Sequence, residues 1–189
     1  MEPLTREAIV KKVERGESLA GLNLSQADLS YSHLKKGLFK GTDLRDAHLQ
    51  NANLESADLS GANLENAFLF GSNLKKANLE GAILKGANLQ DTNLEGANLK
   101  GTDLQGLSLF GAQLDGANLE GAILTNARLK RASLIGANLK GTDLSGAHLQ
   151  RAVMKDADLS HANLKNANLK NADLAGAKLQ GADLEGIVE

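Results

Sequence analysis

Ala87-Asn88-Leu89-Gln90-Asp91 is one copy of a five-residue unit that repeats through residues 22–186 without interruption. Leucine occupies the centre of the unit at every fifth position from 24 to 184, and only Phe39 and Met154 replace it among these 33 centres. The residue two before the centre is alanine in 24 units and small in most others. The residue two after the centre is glycine in 17 units and often Asn or Asp elsewhere.

A period of five excludes the ordinary secondary structures. In an α-helix each step would rotate the leucine by about 140°, so the leucines would form no stripe. In a long strand an odd spacing would place successive leucines on opposite faces. Each unit is therefore predicted to be a short extended piece followed by a corner, and Gly, Asn and Asp after the centre tolerate the positive φ of such a corner.

Longer recurrences indicate how many units close one coil. The segment 77–84 recurs at 117–124, which is 40 residues later. Thr-Asp-Leu begins at Thr42, Thr102 and Thr142, so its offsets are 60 and 40. These offsets are multiples of 20, and not all are multiples of 15, which favours four units per coil. Neighbouring coils are then expected to pair like parallel strands about 4.8 Å apart, in a rod about 40 Å long.

The unit also resembles a known family. Ala57-Asp58-Leu59-Ser60-Gly61 and Ala97-Asn98-Leu99-Lys100-Gly101 are similar to the repeat of the pentapeptide-repeat family. The resemblance implies an all-β solenoid: a right-handed quadrilateral parallel β-helix of about eight coils, with the central and the small residue inside. The handedness comes from the resemblance alone. The even use of leucine at the centre resembles uncharacterised members of the cyanobacterial type.

Residues 1–18 differ from the repeat and are predicted to form an N-terminal capping helix, with the β-helix occupying 19–189. Thr5 suits the N-cap, Leu4 can pack against Ile9, and Gly16 suits the end of the helix. Ile9 and Val13 share one face, which is expected to cover the open end of the first coil. The alternative is an amphipathic helix that binds a partner.

No comparable cap follows the repeat at its other end, where Ile187-Val188-Glu189 are the last residues. Three arrangements stay open: an apolar tail folds over the end, two molecules stack end to end, or further chain follows. Strand addition between two copies is physically simple at such an edge, so a homodimer through C-terminal end stacking is one expected partner.

Composition narrows the function. The chain has no Cys and a formal net charge of −2, so neither a disulfide framework nor a thiolate metal site is expected, and binding to nucleic acid is not favoured. No apolar stretch has the length of a membrane span or a signal peptide, so a cytoplasmic location without membrane contact is expected. A filled interior leaves no concave pocket, so no cofactor, metal or small-molecule substrate is expected and the protein is predicted not to be an enzyme.

The regular positions of polar residues point to structure rather than catalysis. Asn and Asp before each centre are expected to form ladders that cap the corners. On two faces, opposite charges alternate at one-coil spacing and are expected to pair along the rod. His48 and His148 share a face but lie five coils apart, too far to share a metal ion.

The other two faces carry net charge. The face of Leu24 is acidic, with a net charge of −4, because Arg45, Lys85 and Lys165 only partly offset its carboxylates: Asp43, Asp46, Glu65, Asp103, Asp143, Asp183 and Glu185. The face of Leu29 has a net charge of +3 and exposes aromatic residues. Its candidate interaction surface consists of Phe68, Phe70, Phe110, Arg128, Lys130, Arg131 and Arg151. The alternative is that Phe68 and Phe70 only shield a corner.

These observations favour a non-catalytic rigid scaffold that binds an unknown protein through one face or through the C-terminal end. The resemblance supplies an alternative, because some pentapeptide-repeat proteins modulate DNA gyrase by mimicking duplex DNA. Mimicry requires a strongly acidic face, and the face of Leu24 has lysines interspersed. Nucleic-acid binding through Arg128 and Arg131 is the third hypothesis.

Overall fold

The computed structural model describes residues 4–189, which form one helix, α1 (Arg6–Glu14), followed by a parallel β-solenoid. The flat sides of the solenoid are so short that each contributes a single bridged residue. Every bridge is parallel and joins residues 20 apart, from Ser18–Leu38 at the start to Asn168–Val188 at the end. Four five-residue units therefore make one coil, as the recurrence of segment 77–84 predicts.

A left-handed backbone corner follows every central residue. From Gln26 to Gly186, each residue two after a centre has a φ between +52° and +73°. Sixteen of these residues are not glycine, and they include Lys36 and Arg131. At Gly71 a Cβ would also overlap the side-chain oxygen of Asn51 in the preceding coil, so that side chain would have to move. The predicted corner is confirmed.

Central leucines and the small residues before them fill the interior. Leu84, Leu104 and Leu124, which occupy equivalent positions in successive coils, are at most 1% exposed. Burying each such side chain contributes about 2 kcal/mol. Threonine replaces the small alanine at a few inner positions, where its hydroxyl is satisfied by a backbone carbonyl; the Thr42 Oγ1, for example, donates to the Leu19 oxygen at 2.9 Å.

Asparagines before the centres form the expected ladder. The Asn98 Nδ2 donates to the Asn78 Oδ1 at 3.1 Å, and the Asn118 Nδ2 donates to the Asn98 Oδ1 at 3.3 Å. Each side-chain oxygen also caps its own corner, because the Glu80 amide donates to the Asn78 Oδ1 at 3.2 Å. These side chains therefore link neighbouring coils and hold the corners of the coil.

Helix α1 caps the first coil. Thr5 is its N-cap, and the Thr5 Oγ1 accepts a hydrogen bond from the Ala8 amide at 3.3 Å. Gly16 follows the helix with a φ of +68°. Ile9 and Val13 are buried in the main core, and Leu4 packs against it. Residues 1–3 of the predicted capping segment lie outside the described residues.

The last coil is open. Leu179 and Leu184 occupy central positions, yet they are 36% and 39% exposed, whereas Leu164 one coil earlier is fully buried. Together with Leu174 and Ile187 they line a depression of about 240 Å³.

One interruption breaks the backbone ladder between complete coils within residues 4–189. The amides of Gly81, Leu84, Gly86 and Asp103 lack the hydrogen bond to a neighbouring coil that equivalent amides elsewhere make. Each missing bond forgoes about 1 kcal/mol. We call this gap, between residues 81–87 and 100–108, the seam. The ladder is complete on either side of it, since Asn78–Asn98 and Asn88–Ser108 remain bridged.

The seam coincides with an irregularity of the repeat. Leu107 stands at the inner position that is usually alanine, and it faces Ala87 and Ala127 in the coils before and after it. A large side chain adds volume to the core at a position where the regular repeat has a methyl group. At Phe39, by contrast, a smaller neighbour compensates for a larger central residue. The Phe39 ring fills the space beside Gly37, and a Cβ on Gly37 would overlap that ring. No such compensation accompanies Leu107.

Among the described residues, no helix combines the length and the apolar character needed to cross a bilayer.

The capping carboxylates give the fold a pH dependence. Hydrogen bonds from the Ser160 side chain and backbone, with Lys140 nearby, lower the pKa of Asp158 to about 2 from 3.8. A carboxyl whose pKa is depressed on folding stabilises the fold above its unfolded pKa, and this stabilisation is lost as the pH falls towards the folded value. Carboxyl ¹³C NMR should show Asp158 titrating near 2 and moving towards 3.8 in Ser160→Ala. An unshifted Asp158 in the unsubstituted protein would contradict this assignment.

Candidate interaction surface

Four cationic side chains of the predicted surface lie together on adjacent coils. Arg128, Lys130, Arg131 and Arg151 are all exposed. Arg128 and Lys130 flank the central Leu129, while Arg131 and Arg151 occupy corners that are one coil apart. We call these four residues the basic cluster. Lys170, one coil beyond the Gln150 position, extends it.

Within the described part of the chain, the basic cluster brings four cationic side chains together without an ion pair to any of them. Elsewhere lysines bind carboxylates of the next coil: Lys35–Glu55 at 2.9 Å, Lys75–Glu95 at 2.7 Å and Lys100–Glu120 at 3.1 Å. These pairs confirm the predicted alternation of charge. Within residues 4–189 no carboxylate lies within 4.0 Å of a cationic group of the basic cluster.

A shallow depression of about 460 Å³ opens beside the basic cluster. Its lining comprises Gln90, Ser108, Phe110, Arg128, Lys130, His148 and Gln150. The Gln90 Nε2 donates to the Ser108 Oγ at 2.8 Å, which fixes one wall. The Gln150 Oε1 is buried and has no hydrogen-bond partner among the described residues. The depression thus offers cationic donors, an aromatic edge and one free acceptor.

Phe110 belongs to this group. The Arg131 guanidinium carbon lies 5.9 Å from the centre of the Phe110 ring, at the outer limit of a cation–π contact. The aromatic ring therefore orients one member of the basic cluster, and its half-buried side chain forms part of the depression.

Phe68 and Phe70 lie apart from the basic cluster. Two coil steps separate Phe70 from Phe110, with Gln90 between them, so they are about 10 Å apart along the rod. Phe68 packs on the His48 ring of the preceding coil, with ring centres 4.9 Å apart. The predicted surface therefore comprises two groups, and the Phe68 contact agrees with a shielding role.

The acidic face is partly neutralised within the chain. The Arg45 Nη2 lies 2.7 Å from the Asp43 Oδ2, and hydrogen bonding to Arg45 holds the pKa of the Asp43 carboxyl below its usual value. The Lys165 Nζ lies 2.7 Å from the Glu185 Oε2. Asp103 and Asp143 cap corners, accepting hydrogen bonds from the amides of Gln105 and Ser145.

Sequence reasoning missed His148 and Gln150 as parts of the site. Both stand at positions that step by 20 residues from Arg128 and Lys130, so the coil length could have placed them there. The unsatisfied oxygen of Gln150 and the depression depend on side-chain conformations, which cannot be predicted from the pattern of the sequence.

No group of three or more His, Asp or Glu side chains within residues 4–189 is arranged to hold a metal ion.

The five-residue repeat matches a known protein family. The pentapeptide-repeat profile, "Pentapeptide repeats", matches eight copies across residues 18–46, 38–75, 72–109, 112–151 and 152–188. The chain belongs to the pentapeptide-repeat family. The predicted resemblance is confirmed, and its structural neighbours include cyanobacterial members of the family.

Solved pentapeptide-repeat structures are similar along nearly the whole chain. HetL from the cyanobacterium Nostoc sp. strain PCC 7120, described as involved in heterocyst differentiation regulation, is 30% identical, with 97% of this chain and 96% of HetL covered and a TM-score of 0.62. Rfr23 from the cyanobacterium Cyanothece 51142 is 25% identical, with 96% and 97% covered and a TM-score of 0.24. Full-length QnrB1, a plasmid-mediated fluoroquinolone resistance protein, is 20% identical, with 90% of each chain covered and a TM-score of 0.34.

No curated protein matches the chain in sequence.

Proposed function

We propose that this pentapeptide-repeat protein is a non-catalytic, rigid scaffold that binds a protein partner through the basic cluster. In this proposal the solenoid is the right-handed quadrilateral β-helix that the family resemblance implies, with about eight coils and a cytoplasmic location. Outside the seam, the scaffold is stiff because each coil is joined to the next by backbone hydrogen bonds, such as Leu124 N to Asp143 O at 2.7 Å.

The observation that supports this proposal is that no carboxylate of the described residues pairs with the cations of the basic cluster. Several lysines on other faces bind a carboxylate one coil away, as in Lys75–Glu95. The four cations of the basic cluster lie together and meet no carboxylate within the described residues. Arginine binds carboxylates through two parallel hydrogen bonds, which favours recognition of an acidic protein surface. The partner is therefore expected to present Asp or Glu side chains.

An acidic protein is favoured over nucleic acid because the cations are compact. Duplex DNA places its phosphates along extended backbones, and binding proteins usually neutralise several of them. Here the net charge of the whole chain is −2, so the protein as a whole does not attract a long polyanion.

DNA mimicry by the acidic face has less support. Asp43 and Glu185 are already paired with Arg45 and Lys165 of the same face. Their charges are therefore not free to occupy phosphate sites on a DNA-processing enzyme such as gyrase.

Binding of a fluorescent octaglutamate peptide tests the proposal. The unsubstituted protein should bind it with an affinity that weakens as salt rises, and Arg128→Glu with Arg131→Glu should lose roughly tenfold in affinity, because close charge pairs contribute more than about 1 kcal/mol. Fluorescence anisotropy measures both.

The matched control is Lys36→Glu with Lys40→Glu, which alters net charge equally on other faces and should leave the affinity within a factor of about two. Equal losses in both double variants would contradict a localised site. Tighter binding of a duplex DNA of equal charge would support nucleic-acid recognition instead.

We propose a second contact at the open last coil, where another copy of the chain stacks end to end. Exposed Leu179 and Leu184, with the depression of about 240 Å³, support this because a core leucine exposed to water loses its burial energy. Val188, 49% exposed, would add to the buried area.

Sedimentation velocity tests the end contact. The protein should sediment as a dimer at about 100 µM, and Leu179→Glu should be monomeric because a charge at the interface core is costly. Phe68→Ala, which removes an exposed apolar residue far from the end, should remain dimeric. A monomeric unsubstituted protein at that concentration would overturn the contact.

A further inference from the structure

The seam exposes main-chain groups on both of its sides. The side formed by residues 81–87 has free amides at Gly81, Leu84 and Gly86 and a free carbonyl at Ala82. The opposite side has free carbonyls at Lys100, Asp103 and Gln105 and a free amide at Asp103. Donors and acceptors therefore occur on both sides, in the pattern that a polypeptide backbone can satisfy.

The seam is an open space rather than a strained contact. A cavity of about 400 Å³ lies along it, lined by Ala82, Ile83, Leu84, Lys85, Asp103 and Gln105. Ala82 is 6% exposed, whereas its equivalents Ala62 and Ala122 are 0% and 1% exposed. Solvent therefore reaches the core at the seam, whereas the equivalent core residues of the neighbouring coils are covered.

Side chains around the seam combine one apolar residue with one free cation. Ile83 occupies a position that is usually Asn or Asp, and it is 50% exposed. Lys85 has no carboxylate within 4.0 Å among residues 4–189, although the face that carries it is acidic. A ligand with a small apolar side chain and a carboxylate would satisfy both.

We propose that the seam is a binding site for an extended peptide segment of a partner protein, held by main-chain hydrogen bonds and by an acidic side chain against Lys85. Leu107 keeps the site open by holding the coils apart. The site lies on the acidic face and is distinct from the basic cluster.

Amide hydrogen exchange tests whether the seam exists in solution. The amides of Gly81, Leu84 and Gly86 should exchange roughly 100-fold faster than those of Gly101, Leu104 and Gly106, which occupy the same positions one coil later and are hydrogen-bonded. Leu107→Ala restores the usual residue of the repeat, so it should fold and slow the exchange at the seam. Equal protection of the two sets of amides in the unsubstituted protein would overturn the proposal.

Peptide binding tests the ligand. The probes are fluorescent heptapeptides that alternate valine with threonine and carry a central glutamate, together with the same peptides carrying glutamine in its place. The glutamate series should bind the unsubstituted protein and lose roughly tenfold in affinity in Leu107→Ala and in Ile83→Ala. Lys85→Gln should remove the preference for glutamate over glutamine.

Two control variants separate this site from the others. Ile135→Ala removes another exposed isoleucine, 41% exposed, from a different face and should leave binding unchanged. Arg128→Glu with Arg131→Glu should also bind the heptapeptide normally, so failure of the basic cluster as a partner site leaves this proposal standing. Unchanged binding in Leu107→Ala, or no binding of either peptide series to the unsubstituted protein, would overturn it.

Discussion

The left-handed corner after every central residue is the constraint on which the structure depends. A φ near +60° turns the chain so that the next unit again directs its centre inward, and four such turns return the backbone above its starting point. Asn and Asp adopt this conformation more readily than most residues, but Lys36 and Arg131 adopt it too. Burial of the central leucines and the backbone ladder offset the local cost at those positions.

Stacking in register gives each surface position of the inner coils a neighbour one coil before it and one coil after it. This arrangement lets charges pair in rows, as Lys35 pairs with Glu55 and Lys100 with Glu120. It also makes exceptions informative. In the part of the chain that the structure describes, the basic cluster has no carboxylate to pair with in the neighbouring coils, and Leu107 is a large residue at an inner position where the coils before and after it have alanine. Both departures alter the regular solenoid locally, and both carry the proposals about binding.

The fold could be predicted from the sequence because every unit has the same residue pattern and adopts the same backbone conformation. The recurrence of segment 77–84 at 117–124 then indicated the length of the coil. Charge pairs followed once the coil length was known. The unsatisfied oxygen of Gln150 did not follow, because it depends on a side-chain conformation. The only sign of the seam in the sequence is the unusual Leu107. Whether a large residue is accommodated by repacking of the core or by loss of inter-coil hydrogen bonds depends on the packing of neighbouring coils.

Distances along the rod test the four-unit coil most directly. The chain has no Cys, so spin labels can be placed by paired substitutions, Lys40→Cys with Lys140→Cys and Lys40→Cys with Gln180→Cys. These pairs share one face and are five and seven coils apart, so double electron–electron resonance should give backbone separations of about 24 and 34 Å, with allowance for the label linkers. An increase between the two pairs far from about 10 Å would contradict a 20-residue coil.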